Sequence, residues 1–312
     1  MKELKKEIIG ALAILLLACF VAVPVAADDY WVGLPPVTVV QDSVEGDFDV
    51  YMVDTWTSPD NIGNEYVEAE FEIPEAATED AVFARLYVVV YSGNMTADYT
   101  GNLTVEINDN TLVSLYPLDL HYERLNGIVY DSNLPQGDFI DLSRTTSDYL
   151  AVFDVVDYMD SEDITVEVTT TNESGRFDGR IKKVELALAY EDEELEKTTK
   201  YWVNEGQDPA TYYDGDYVGQ TWFNGATYSG TLQNVTVWAD PIASSYSKDG
   251  QYDWNGANIT SSKIEVVGIT HQAGLDKWYI DPVDLLTNNY LSYERSGSWY
   301  KLPLAFMKIQ FS

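Results

Sequence analysis

Val67-Glu-Ala-Glu-Phe-Glu-Ile73 alternates apolar and acidic residues without a break and stops at Pro74. Successive side chains of an extended chain point to opposite faces. This stretch therefore predicts a strand with Val67, Ala69, Phe71 and Ile73 on a core and its glutamates in water. The same period recurs on both sides of it. Arg85-Leu-Tyr-Val-Val-Val-Tyr91 is β-branched and aromatic throughout, as expected of a strand buried on both faces. Asn102-Leu-Thr-Val-Glu-Ile107 runs into the turn signal Asn108-Asp109-Asn110, Ile164-Thr-Val-Glu-Val-Thr169 alternates cleanly, and Ile181 to Tyr190 is a long closing strand.

The charged run Glu191-Asp192-Glu193-Glu194-Leu195-Glu196 is a solvated boundary. Beyond it Thr199 to Val203, Tyr217 to Thr221, Asn234 to Trp238, Ile264 to Val267 and Lys301 to Phe311 read as further strands. No helical stripe lasts beyond a turn or two. The expected architecture is all-β, with two tandem antiparallel β-sandwich, jelly-roll-like domains at 44–192 and 193–312. A signal peptide (1–27) and an N-terminal linker (28–43) precede them.

The two halves share an order of short matches. Leu86-Tyr-Val-Val-Val90 answers Val235-Thr-Val-Trp238, and Val105-Glu-Ile-Asn108-Asp109 answers Tyr252-Asp-Trp-Asn255-Gly256. Phe153-Asp-Val-Val-Asp-Tyr158 answers Ile280-Asp-Pro-Val-Asp-Leu285, and Val184-Glu-Leu-Ala-Leu188 answers Leu302-Pro-Leu-Ala-Phe306. Such self-similarity is the mark of a diverged repeat.

Lys2, Lys5 and Lys6, an apolar stretch from Ile8 to Val23, and Val25-Ala-Ala27 before Asp28 compose an export signal. The stretch is also long enough that a retained anchor stays an alternative. No second apolar stretch could span a bilayer, so no transmembrane anchor is expected in the mature chain. Cys19 is the only cysteine and lies within the signal, which removes disulfides, thiolate nucleophiles and cysteine metal sites from the mature chain. With 52 acidic against 18 basic residues, a net charge of −34, the surface repels nucleic acid and anionic lipid. The 23 Tyr, 10 Phe and 8 Trp argue for packed cores over a charged disordered tail.

The Phe153-Asp-Val-Val-Asp157 passage resembles the Phe-Asp-Val-Thr-Asp corner of galactose-binding-like jelly rolls, with Val156 and Val283 where Thr is common there. The resemblance implies an apolar strand ending at the first Asp, a short turn, and a strand returning across the sandwich. Asp154, Asp157, Asp281 and Asp284 suit that role without it, because Asp side chains accept backbone N–H bonds two or three residues on. Phe83-Ala-Arg-Leu-Tyr87, Phe153-Asp-Val-Val-Asp157, Asp178-Gly-Arg-Ile181, Tyr201-Trp-Val-Asn-Glu-Gly206 and Phe223-Asn-Gly225, in that order, look like an uncharacterised domain family of secreted and surface proteins from methanogenic archaea. That resemblance implies an extracytoplasmic place and carries no catalytic residues.

Catalytic motifs are lacking. Gly-x-Ser-x-Gly, His-Glu-x-x-His and Gly-rich phosphate loops do not occur. His121 and His271 stand alone in their halves, and no pair of carboxylates is singled out for glycoside hydrolysis. Tyr212, Tyr213, Tyr217 and Trp222, with Phe223, gather near Gly and Asp, as sugar-stacking rings would. Rings at a domain interface would look the same. Asp249, Asp253 and Asn255 place oxygens at alternate positions of a tight loop, and calcium is the one cofactor this admits; Asx turns explain the segment too. Asn94, Asn102, Asn172 and Asn258 head N-glycosylation sequons, as does Asn234 inside a predicted strand. The expectation is a non-catalytic extracellular or cell-surface protein, structural or adhesive, in an archaeal envelope. Its partners would be envelope proteins, glycans or further copies of itself. A carbohydrate-binding module is the alternative, and a secreted polysaccharide-active enzyme the remaining one.

Overall fold

The computed structural model describes residues 34–55, 63–93, 98–119, 139–209, 217–242, 250–267, 273–295 and 300–312. The expected signal peptide, Asn94, His121, Tyr212, Tyr213, Asp249 and His271 lie outside them.

Four antiparallel sheets stack in layers. The N-terminal inner sheet orders β2 (Gly46–Asp54), β10 (Arg180–Glu191), β4 (Ala81–Tyr91), β8 (Asp148–Asp154) and β7 (Phe139–Thr145). The N-terminal outer sheet orders β3 (Asn64–Glu72), β9 (Asp163–Gly175), β5 (Tyr99–Ile107) and β6 (Asn110–Asp119). The C-terminal inner sheet orders β1 (Val37–Val44), β11 (Thr198–Asp208), β19 (Lys301–Phe311), β13 (Leu232–Ile242), β17 (Leu275–Ile280) and β16 (Glu265–Val267). The C-terminal outer sheet orders β12 (Gly219–Asn224), β18 (Asn288–Glu294), β14 (Gln251–Trp254) and β15 (Ala257–Asn258). One short helix, α1 (Glu75–Asp80), follows Pro74.

The two halves share one strand order. Counting from β2 and from β11, both inner sheets run first, ninth, third, seventh, sixth, and both outer sheets run second, eighth, fourth, fifth. That is a jelly-roll order with one strand added beside the seventh. All four sequence matches fall on equivalent strands. The aspartate corners are equivalent 3-10 turns, Val156–Tyr158 and Pro282–Asp284, in which Asp154 and Asp281 accept from the N–H two residues on.

Three cores separate the four layers. One joins the N-terminal sheets through Val67, Ala69, Phe71, Leu86, Val88 and Phe153. Another joins the C-terminal sheets through Trp202, Trp254, Trp278 and Tyr293. Between the inner sheets lies a third, where Phe48 stacks on Tyr201 at 4.9 Å and meets Trp238 edge-on. Strand β4 thus feeds one core with Leu86, Val88 and Val90 and another with Tyr87 and Val89, the two-sided burial its composition predicts.

The stretch expected to be linker departs from that reading. Val37–Val44 is a strand on the edge of the C-terminal inner sheet, and the chain crosses to the N-terminal inner sheet at Glu45-Gly46. Mostly exposed side chains hid it, since edge pairing needs no buried alternation. Gly46 is required at the crossing: a Cβ there would lie 2.1 Å from the Tyr190 carbonyl oxygen. Thr199 Oγ1 donates to the Gly46 carbonyl at 2.7 Å and the Asp192 N–H to that of Glu45 at 2.9 Å.

Ions also cross between the inner sheets. Asp47 of β2 accepts from Lys308 of β19 at 2.8 Å, and Arg85 of β4 pairs with Glu205 of β11 at 2.5 Å. Asp148 of β8 takes Lys182 of β10 at 2.7 Å and Lys301 of β19. Lys182, Lys183, Lys301 and Lys308 are all buried. Each of these buried cations has a carboxylate partner, as a charge inside a protein requires.

Candidate functional site

The far face of the C-terminal outer sheet carries the aromatic pair to which the sequence pointed in part. Strand β12 alternates buried and exposed residues, which turns Gln220, Trp222 and Asn224 outward. Register places Trp222 opposite Tyr290 of β18. The two rings lie 4.9 Å apart at 41°, and Trp222 keeps 44% of its surface exposed. An indole half in water forfeits roughly half of the ~1.5–3 kcal/mol that burial of a large apolar side chain brings, so the fold alone does not account for its placement.

The pair is held from behind. The Trp222 carbonyl accepts from Asn204 Nδ2 at 3.0 Å and from Thr38 Oγ1 at 3.2 Å, so β1 helps to seat this strand. The Tyr290 N–H donates to Asn255 Oδ1 at 3.0 Å, and the Asn255 N–H donates to the Tyr290 carbonyl at 3.0 Å. Asn255 and Gly256 have φ of 49° and 85°. A Cβ on Gly256 would come within 3.3 Å of the Tyr290 hydroxyl oxygen, so glycine serves both the turn and the close approach of the ring.

Polar side chains flank the rings in rows. Register aligns Gln220, Ser292, Asp253 and Asn258 across the four strands on one side, and Asn224 with Asn288 on the other. Two residues along a strand are about 7 Å, so a chain laid over the rings has amides within reach on both flanks and the Asp253 carboxylate on one. Asn258 Nδ2 donates to Asp253 Oδ1 at 3.0 Å, which orders this row without a ligand.

The sequence candidates divide accordingly. Trp222 is on the platform, and Asp253 and Asn258 lie beside it. Tyr217 is not: its hydroxyl donates to buried Asp208 at 2.7 Å, and its ring packs against the C-terminal core. Asp208 also accepts from Tyr293 at 2.7 Å, and burial, only partly offset by these two hydroxyls, pushes its carboxyl above the usual range. Asn255 is a turn clasp: its Nδ2 donates to the Asp284 carbonyl at 3.1 Å and to Asn289 Oδ1 at 3.0 Å, while its Oδ1 accepts from the Tyr290 N–H. Among the described residues no three Asp, Glu, His or Cys side chains converge to hold a metal. Asn102 donates to Glu173 at 2.9 Å on the N-terminal outer sheet, and Asn172 lies exposed on the same sheet. Tyr290 was missed in the sequence. Its signal was present, in the alternation of Asn288-Asn-Tyr-Leu-Ser-Tyr-Glu294 and its register with Trp222.

A crevice of about 320 Å³ beside β2 is lined by Glu70, Glu72, Trp238, Leu275 and Lys277. Its two carboxylates sit on one exposed face of β3, and the opposite wall supplies an indole, an aliphatic chain and an ammonium. Both carboxylates project from the same strand, two residues apart.

A family model described as a protein of unknown function, DUF3344, matches residues 29–310. No protein of curated function matches. Among solved structures, the glycosylasparaginase PNGase F from Flavobacterium meningosepticum is 12% identical, with 85% of this chain and 96% of that chain covered and a TM-score of 0.24. A putative secreted protein from Parabacteroides distasonis is 10% identical, with 90% and 99% covered and a TM-score of 0.24. BuGH86 in complex with neoagarooctaose is 12% identical at a TM-score of 0.26; 87% of this chain is covered, and it spans only 33% of that one. At these scores the likenesses carry no argument.

Proposed function

This chain belongs to the DUF3344 family, and from that premise we propose that it is a non-catalytic extracellular protein of a cell surface that adheres to glycans through the Trp222–Tyr290 face. The observation that carries the reading is the exposed, register-matched ring pair. Carbohydrates present C–H faces to aromatic rings and hydroxyls to amides and carboxylates, and this face offers both in parallel rows. The export signal read at residues 1–27 supports the location.

The test is retention of the full mature chain on immobilised envelope polysaccharide and on a glycan array, with thermal shift as a second readout. Saturable binding that raises Tm with ligand concentration and is lost in Trp222→Ala supports the reading. Absence of saturable binding to every glycan, or equal binding by Trp222→Ala, overturns it. Release of reducing ends during incubation would overturn its non-catalytic part.

A second reading, assembly by strand addition, is favoured by β1. It pairs with β11 on one side only among the described residues, and its side chains are mostly exposed. Sedimentation that changes with protein concentration, and is abolished by proline at Val39, would support it.

A further inference from the structure

The third core holds a group of three charges unlike the other ion pairs. Lys183 and Glu185 sit two apart on β10 and so point the same way, toward the C-terminal inner sheet. Asp240 of β13 meets them from that sheet. Lys183 Nζ lies 2.8 Å from Glu185 Oε2 and in direct contact with Asp240 Oδ2, and each of the three residues is 0% exposed. Glu185 Oε1 and Asp240 Oδ1 find no donor of suitable geometry among the described residues. Two carboxyl groups and one ammonium cannot all be charged in a dry interior without a surplus negative charge, so one carboxyl holds a proton, and the ion pair that remains is still costly to bury.

We propose that this group is a self-modifying site: Lys183 and Asp240 condense into an intramolecular amide that covalently joins the two inner sheets, with Glu185 as the proton carrier.

The chemistry balances without any other reactant. Lys183 passes a proton to Glu185, and the neutral Nζ adds to Cγ of protonated Asp240. Glu185 relays the second amine proton to the hydroxyl, which departs as water as the Cγ–Oδ bond breaks. One neutral amide, one water and a protonated Glu185 remain. No electrons change hands. The buried ion pair of Lys183 and Glu185 disappears, which gives the site a reason to react. Holding an amine against a carboxyl raises its effective concentration to about 10⁵–10⁸ M, and exclusion of water removes the hydrolytic return path.

The protonation states suit the roles. Burial, and then the neighbouring Glu185 charge, push the Asp240 carboxyl well above the usual range, so that it is the acid form an amine can attack. For Lys183 burial pulls down, and the two carboxyls more than offset it while they carry charge, which keeps the amine up. One proton moved from Lys183 to that pair cancels the attraction and leaves burial acting alone.

Lys301 and Asp148 provide a contrast within the same molecule. They also touch, but burial of Asp148 is outweighed by Lys182 and Lys301, which hold it below the usual carboxylate range. An ionised carboxylate between two cations, with no acid beside it, is a poor acceptor for an amine. That pair stays ionic.

Intact mass of the full chain, purified folded and measured after denaturation, is the test. The expected result is a mass one water below that of the sequence and, after proteolysis, one branched peptide joining β10 to β13 through Lys183 and Asp240. Glu185→Gln leaves both reacting residues in place, and is expected to restore the full mass while circular dichroism stays that of a β-sandwich. The wild-type mass needs no variant, so a misfolded mutant does not spare the idea. Full sequence mass in the folded wild type overturns it, as does a branch mapped to Lys301 and Asp148.

Discussion

The two outer sheets occupy the same place in the same strand order, yet present opposite chemistry to the solvent. On the C-terminal one, the centre of the face is Trp222 against Tyr290, bordered by amides. On the N-terminal one, register lines up Glu68, Glu167 and Glu106 across three adjacent strands, with Glu70 and Glu72 further along β3 and threonines 104, 165, 169 and 171 between. Its one ring here, Tyr66, turns its hydroxyl to Glu167 at 2.8 Å and to Glu68 at 3.1 Å, and those bonds and charges push its ionisation well above the usual tyrosine range. Like charges directly opposite on a sheet are unfavourable. One scaffold thus carries a face that has given up stability for repulsion and another that leaves rings in water. The same strand order supports two different outward faces.

Below both faces the same clasp survived. Asn108 and Asn255 each take a positive φ at the hairpin after the fourth strand of their repeat. Each donates its amide to a carbonyl in or beside the 3-10 corner, Tyr158 or Asp284, at 3.1 Å. Each accepts from the eighth strand, from the N–H of Thr165 or Tyr290, at 3.0 Å. Only short polar side chains and glycine tolerate that backbone, and an amide alone offers donor and acceptor together.

Three sets of substitutions probe the contrast, the largest expected effect first. Trp222→Ala is expected to weaken glycan retention about thirtyfold, which corresponds to ~2 kcal/mol for loss of a central aromatic anchor, whereas Tyr66→Ala leaves retention unchanged. Equal losses from the two faces, measured by affinity electrophoresis, would erase the functional difference between them. Asn255→Ala and Asn108→Ala each remove three side-chain bonds and an adapted turn residue, at a cost of about 1–2 kcal/mol. Calorimetry should show Tm falling by ~2–4 °C per kcal/mol in both. A fall in one alone would mean that the clasps no longer do the same job. Glu167→Gln breaks the middle of the carboxylate row and should stabilise by ~0.5 kcal/mol at low salt, a gain that fades as salt screens the surface. Destabilisation in urea titrations would show instead that the row is held by something it attracts.

What was legible in the sequence follows the range of each interaction. Val67 to Ile73 showed its strand because burial of one face writes a period into adjacent residues, and the Asn-Asp and Asn-Gly turns because positive φ restricts composition. Trp222 drew notice as a ring among polar neighbours. Tyr290 did not, because only cross-strand register makes it a partner. Tyr217 misled, since a hydroxyl bonded to buried Asp208 leaves no local trace. Lys183, Glu185 and Asp240 meet only when two sheets pack, and a lysine two residues before a glutamate is ordinary on any surface strand.

Strand β1 is zipped along β11 from Val37 opposite Glu205 to Val44 opposite Thr199, and only then dives through Gly46 to the other half. Tension entering ahead of Val37 therefore peels the strand one residue pair at a time from its far end. Extension taken up there would leave the crossing at Gly46 in place until the strand had separated, so the edge strand would yield before the sheet behind it.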